Sequence, residues 1–184
     1  GGLGRDPLKT VAAIKEEGLG ASEGKGDFFT LRGWVTYFAK DKTWHYCANP
    51  DTKKKVVQSG DVWMDEASGT TIPRCERRYV LSLTISDLTG SNWFSAFNES
   101  ALILMGNKTA DELWGIKEAD PSFFDHHFQV CAWRPYVLKV KAKTERWNDE
   151  NRVKLTLLEA APIDFRAGSA DLLASITDLL QQRR

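Results

Sequence analysis

Residues 136–159, "YVLKVKAKTERWNDENRVKLTLLE", hold two segments of one design. Tyr136, Leu138, Val140 and Ala142 fall on one side, with Val137, Lys139, Lys141 and Lys143 on the other; further on, Val153, Leu155 and Leu157 alternate with Arg152, Lys154 and Thr156. Side chains of a strand point alternately to its two faces, so each segment reads as a half-buried strand with its apolar side on a core. Residues 144–151, "TERWNDEN", read as a polar loop between them, long enough to project beyond the sheet. Trp147 in that loop has no periodicity that ties it to a core.

Upstream, residues 28–38 are rich in aromatic and β-branched residues and form a first strand, resumed after Asp41-Lys42 from Trp44 to Cys47. Val56-Val57, Ser59-Gly60-Asp61 and Val62-Trp63-Met64 read as a small hairpin with a glycine turn. Tyr79, Leu81, Leu83 and Ile85 keep period two up to Asp87, and Thr89-Gly90-Ser91 turns the chain into an antiparallel strand, Asn92 to Phe97. Asn98-Glu99-Ser100 reads as the cap of an apolar helical segment, Ala101 to Met105, and helical patches follow through Leu113, Trp114, Phe123, Phe124 and Phe128. The expectation is a mainly β chain: a five-stranded OB-fold barrel with a helix between its third and fourth strands.

Both ends carry attachments. Asp6-Pro7 followed by Leu8, Val11, Ala12 and Lys15 looks like the start of a short helix that stops at Gly18, and residues 18–26, "GLGASEGKG", look like a flexible connector. At the far end Ser169 can cap an amphipathic helix whose Leu172, Leu173, Ile176, Leu179 and Leu180 line one face, with Asp171 and Arg183-Arg184 placed to suit its dipole. The expected division is 1–26 linker and short helix, 27–166 barrel with a hairpin insertion at about 47–75, and 167–184 a C-terminal oligomerisation helix.

The 184 residues suffice for one domain with a real core, and 42% hydrophobic with 27% charged residues is an ordinary globular balance. No run is long and apolar enough to cross a bilayer, so no membrane partner is expected. Three cysteines at unrelated spacings suggest reduced thiols of a cytosolic or nuclear protein. The opening Gly1-Gly2, without methionine, reads as a piece of something longer. With 25 basic and 25 acidic residues there is no net field, so binding of a polyanion must come from local clustering. No Ser/His/Asp set, metal-carboxylate cluster or nucleotide loop is present, and the chain reads as a binding protein rather than an enzyme.

The hairpin supplies the clustering. Lys139, Lys141 and Lys143 on one strand and Arg152 and Lys154 on its neighbour set like charges side by side, which is unfavourable unless an anion lies over them. Trp147 stands at one end, and Trp93 and Phe97 lie on another strand. A cationic groove with aromatic platforms is how single strands are held without sequence preference. The competing reading makes the lysines a solvated outer face and the aromatics core, and a strand tryptophan such as Trp93 is more often buried than functional.

Residues 83–101, "LTISDLTGSNWFSAFNESA", and 146–165, "RWNDENRVKLTLLEAAPIDF", with 8–20, "LKTVAAIKEEGLG", and 27–38, "DFFTLRGWVTYF", resemble the C-terminal domain of the large subunit of replication protein A, the eukaryotic heterotrimer that coats single-stranded DNA. The resemblance runs from about Leu8 to the end. It implies an OB-fold domain that contacts single-stranded DNA in the nucleus during replication, repair and recombination. It also implies a terminal helix, residues 171–184, that joins the middle and small subunits in a three-helix bundle. The family's stacking aromatics fall on Phe97 and on Trp147, where relatives carry tyrosine. Two alternatives stay open: a domain that serves mainly as a trimerisation scaffold, and a paralogue devoted to telomeric DNA or telomerase.

The resemblance implies one more part, a zinc ribbon inserted in the barrel and held by four cysteines. The matching positions are Cys47, Thr52, Asp65 and Ser68, so only Cys47 keeps a ligand, as a remnant. Structural zinc needs four nitrogen or sulfur donors, and the expectation is a degenerate insertion with no metal cofactor, packed by Val56, Val57, Val62, Trp63 and Met64. A substitute site built from His45 and Cys47, one face of a strand, with Cys75 or Asp65 is the weaker possibility. Cys75 and Cys131 read as buried thiols, and His126-His127 as a surface cap.

Overall fold

The computed structural model describes residues 5–163 and residue 181. In chain order the elements are β1 (Leu8–Lys9), α1 (Val11–Glu16), β2 (Asp27–Phe38), β3 (His45–Ala48), β4 (Val57–Ser59), β5 (Val62–Met64), β6 (Thr71–Ile72), β7 (Glu76–Asp87), β8 (Gly90–Phe97), α2 (Asn98–Leu104), α3 (Ala110–Ala119), α4 (Pro121–Cys131), β9 (Pro135–Trp147) and β10 (Glu150–Pro162). One seven-stranded sheet runs β1-β2-β9-β10-β8-β7-β3, and a further pairing of β2 with β7 closes β2, β9, β10, β8 and β7 into a barrel. The closure uses one parallel pair, β10 with β8 through Thr156 and Ser95. A separate three-stranded sheet, β4-β5-β6, forms the insertion. The mainly β barrel with a helical segment between its third and fourth strands is the architecture that the order of elements in the sequence predicts.

The core follows from that alternation. Leu138, Val140 and Ala142 of β9 are fully buried, as are Leu83 and Ile85 of β7 and Leu31 of β2, with Phe29 close behind. Leu104, Leu113, Phe124 and Phe128 of α2, α3 and α4 join this cluster, and Val11 and Ile14 bring in α1. Each fully buried aliphatic or aromatic side chain contributes roughly 1.5 to 3 kcal/mol relative to exposure. Tyr79 is buried with its hydroxyl donating to the Lys108 carbonyl at 2.6 Å, and burial raises its pKa.

The helices begin where local chemistry allows. Thr109 and Glu112 form a reciprocal capping box at α3, and Asp120 caps α4 with Pro121 in the first turn. Two expected starts move. The first helix begins at Thr10, whose hydroxyl accepts the Ala13 N–H at 3.2 Å, because Leu8-Lys9 pair in parallel with β2 and the Pro7 carbonyl accepts the Thr30 N–H at 2.8 Å. Asp6-Pro7 therefore leads into the edge strand β1 and is no cap. Helix α2 already starts at Asn98 with no side-chain cap, since the Asn98 side chain accepts the Tyr79 N–H at 3.1 Å instead.

The glycine connector is packed rather than free. The Gly20 N–H donates to Asp27 at 2.6 Å, the Thr144 hydroxyl donates to the Gly20 carbonyl at 2.6 Å, and a Cβ on Gly20 would sit 2.7 Å from the Ala142 backbone. The loop expected at 144–151 is a tight turn. Pairing runs out to Trp147 opposite Glu150, and Asn148 and Asp149 turn the chain with φ of 49° and 61°. Both left-handed residues match the twist that two-residue hairpins require, so the strands run to the very tip.

Candidate nucleic-acid interface

Strand β8 turns Phe94 and Ala96 inward and Trp93, Ser95 and Phe97 outward. Opposite them on β7 lie Thr84, Ser82 and Val80. This outer floor is flanked by the β9-β10 hairpin, and the two enclose an open cleft of about 590 Å³ whose lining includes Ser82, Trp93, Ser95, Trp147, Arg152 and Lys154. Trp147 is 59% exposed, so its ring is not drawn into the interior, and Trp93 at 51% is a surface residue rather than core.

A cation rests on each of three aromatic rings. Arg152 lies 5.0 Å from the Trp147 ring centre, Lys154 lies 5.3 Å from Phe97, and Lys42 lies 5.8 Å from Trp93. Tyr37 completes the wall, meeting Trp93 edge to face at 5.9 Å. Acidic groups hold cations of the cleft lining loosely: Lys154 is 3.8 Å from Glu145, Arg152 3.4 Å from Glu150, and Arg146 3.2 Å from Asp149. These are exposed pairs of little energetic weight, so the cations can move to another anion at small cost.

Of the residues singled out from sequence, the cleft brings together Trp93, Trp147, Arg152 and Lys154, and Phe97 joins through Lys154. Lys143 stands exposed opposite Lys154 on the neighbouring strand. Lys139 and Lys141 are not part of this arrangement. They sit further round the barrel on the face shared with β2, Lys139 3.6 Å from Asp6 and Lys141 over the Phe28 ring at 5.7 Å. The like-charge strain expected along the hairpin is thus relieved in part by Asp6 and Glu145. Leu172, Leu173, Ile176, Leu179 and Leu180 lie outside the described residues.

Tyr37, Lys42 and the floor hydroxyls of Ser82, Thr84 and Ser95 did not emerge from sequence. Strict alternation from Leu31 through Val35 places Tyr37 inside, but an irregularity in the β2-β7 pairing between Val35 and Tyr37 turns its ring out. Ser82 and Thr84 had a signal, since they occupy the outward parity of a strand recognised as amphipathic.

With the geometry in place, the family described as the replication factor-A C-terminal domain matches residues 28–172. The chain belongs to this family. It is 32% identical over 184 residues to the replication protein A 70 kDa DNA-binding subunit of Danio rerio, covering 99% of this chain and 30% of that relative. It is also 32% identical over 167 residues to replication factor A protein 1 of Saccharomyces cerevisiae, covering 90% of this chain and 26% of that relative. The chain therefore spans less than a third of the length of these curated relatives. A solved replication protein A heterotrimer bound to single-stranded DNA superposes with a TM-score of 0.83 at 34% identity, over 93% of this chain and 40% of that one. Yeast replication protein A bound to single-stranded DNA gives 0.77 at 30% identity, over 93% and 96%.

Measured against this replication factor-A family, the inserted ribbon does not fit zinc. The four matching positions offer one thiol, one carboxylate and two hydroxyls, and three of them are engaged locally. Asp65 accepts the Ala67 and Ser68 N–H groups at 2.9 and 3.4 Å, contacts that hold its carboxyl below the usual range. Ser68 donates to Thr70 at 3.0 Å, and Thr52 accepts the Lys54 N–H at 3.4 Å. Asn49 makes the equivalent turn at the start of the insertion, accepting the Asp51 N–H at 2.8 Å. Side-chain oxygens thus accept the N–H groups at each turn. Val56 is buried and Val57, Trp63 and Met64 are half-buried, but Val62 is exposed, so the expected apolar set is one residue too large. Among the described residues no three His, Cys, Asp or Glu side chains are grouped to hold a metal ion.

Proposed function

We propose that this chain binds single-stranded DNA in the β7-β8 cleft beside the hairpin, as the C-terminal OB-fold domain of a replication protein A-like large subunit. The observation that carries the reading is the cleft in which Trp147 and Trp93 lie exposed under cations, with Phe97 exposed next to it under Lys154. Bases stack on the rings as the cations swing to the phosphates, and the serine and threonine hydroxyls of the floor accept or donate to sugar and phosphate oxygens. The contacts are to ring faces and backbone, so the preference among bases is weak. Nothing is cleaved or transferred: the chain works by binding, in the nucleus. The leucine stripe of residues 172–180 joins the middle and small subunits, as this chain's likeness to a chain of a solved heterotrimer supports, and failure of the 184-residue chain to co-purify with those two subunits would remove that part of the proposal.

Oligothymidine titration across salt tests the binding. About three to four phosphate contacts give a slope of log affinity against log salt near −2 to −3 for a single strand. Replacing Arg152 and Lys154 together by alanine is expected to flatten the slope by about one to two. Replacing Lys139 and Lys141 leaves it unchanged, because they face the other side of the barrel; equal losses from the two pairs would sink the assignment of the groove.

The insertion keeps its shape without zinc in the same reading, supported by the mismatch of donors at Cys47, Thr52, Asp65 and Ser68. Elemental analysis is expected to find no stoichiometric zinc in the purified chain, and EDTA is expected to leave both its melting temperature and its affinity for DNA unaltered. A fall in either on chelation would mean that a metal is held after all.

A further inference from the structure

The three thiols are not equivalent. Strands β3 and β7 pair antiparallel with Cys47 opposite Arg77 and Ala48 opposite Glu76. Cys75 lies two residues before Arg77, on the same face and diagonal to Cys47. Both are half-buried, whereas Cys131 is buried on α4, 3.5 Å from His127. Burial, followed by the neighbouring Cys47 thiol, pushes the Cys75 thiol up to about 12, and the β3-β7 register sets the two side chains on one face of the strand pair. Arg77 and Asp111 are the charged groups beside them, the first easing and the second opposing ionisation of Cys75. The pair stands at the two ends of residues 48–74, the insertion that has lost its zinc donors.

We propose that Cys47 and Cys75 are a redox-modifiable pair that closes into a disulfide and pins the neck of the insertion to the barrel. With glutathione disulfide as oxidant, the Cys47 thiolate attacks one of its sulfurs, forming a mixed disulfide and releasing one glutathione. Cys75 then gives up its proton, its sulfur attacks Cys47, the protein S–S bond forms, and the second glutathione leaves. Two protein thiols are oxidised and one glutathione disulfide is reduced to two thiols. The proposal rests on the β3-β7 register and does not depend on the DNA-binding reading. A bond across residues 48–74 restricts the unfolded chain and so raises the melting temperature of the oxidised form.

The test is to treat the 184-residue chain with glutathione disulfide, block remaining thiols, and map peptides without reduction. The expected product has lost two hydrogens, links the Cys47 and Cys75 peptides, leaves Cys131 free to alkylate after unfolding, and melts at a higher temperature than the reduced chain. The Cys75→Ser variant is expected to stop at a glutathione adduct on Cys47, and Cys131→Ser to cross-link as the parent does. Persistent glutathione on either cysteine of the unmutated chain, a link that involves Cys131, or two thiols left unoxidised would each overturn the proposal.

Discussion

Replacement of Trp147 by alanine weakens oligothymidine binding by about 5- to 150-fold, the equivalent of roughly 1 to 3 kcal/mol for one stacked base. The ring is 59% exposed at the end of the hairpin and contributes nothing to the core, so the variant keeps its fold and melting temperature. Phenylalanine at the same position retains most of the affinity, since the stacking face remains. The control is Trp133, which is 68% exposed and shares a surface with Tyr37, Phe38 and Ala132 but does not line the cleft that holds Trp147. Trp133→Ala should bind as the parent does. Fluorescence anisotropy of a labelled oligonucleotide reads both, and equal losses in the two variants would show that exposed indoles in general, not the groove, hold the strand.

Gly20→Ala is expected to be strongly destabilising for so conservative a change. Its φ of 81° is left-handed, and the added methyl would lie 2.7 Å from the carbonyl carbon of Ala142 and 2.8 Å from its Cβ. Overpacking of about 1 to 3 kcal/mol and about 1 kcal/mol of left-handed strain predict a loss of roughly 2 to 4 kcal/mol. For a chain of this size that is a fall of about 5 to 15 °C in melting temperature by circular dichroism. Gly24, also at positive φ, has nothing within 4 Å of an added Cβ, so Gly24→Ala costs only the strain. Indistinguishable melts for the two variants would mean that the segment is the loose linker its composition suggests.

That segment shows what composition hides. Glycines spaced through residues 18–26 look the same in sequence whether they give freedom or allow two backbones to touch; only the approach of Ala142 tells the cases apart. The hairpin was legible because Leu138, Val140 and Ala142 must go to a core, and they did. Alternation reports which side of a strand faces outward, however, and not which side of a closed barrel that outward face belongs to. Lys139 and Lys141 therefore looked continuous with Lys154, although the sheet curves them away towards Asp6 and Phe28. Tyr37 was concealed by a one-residue irregularity that reverses parity after Val35. Trp93 was legible in principle: Phe94 and Ala96 claim the inside of β8, which leaves the indole for solvent.

The cations resting on Trp147, Phe97 and Trp93 have a consequence for the empty protein. Bare rings gathered along one cleft would form a sticky apolar patch on which copies of the chain could adhere to one another. A guanidinium or ammonium parked over each face keeps that patch hydrated and mutually repelling until a polyanion draws the charges aside. The same side chains thus act as colloidal guards when the cleft is vacant, and alanine in place of Arg152 and Lys154 should make the unliganded chain more prone to self-association.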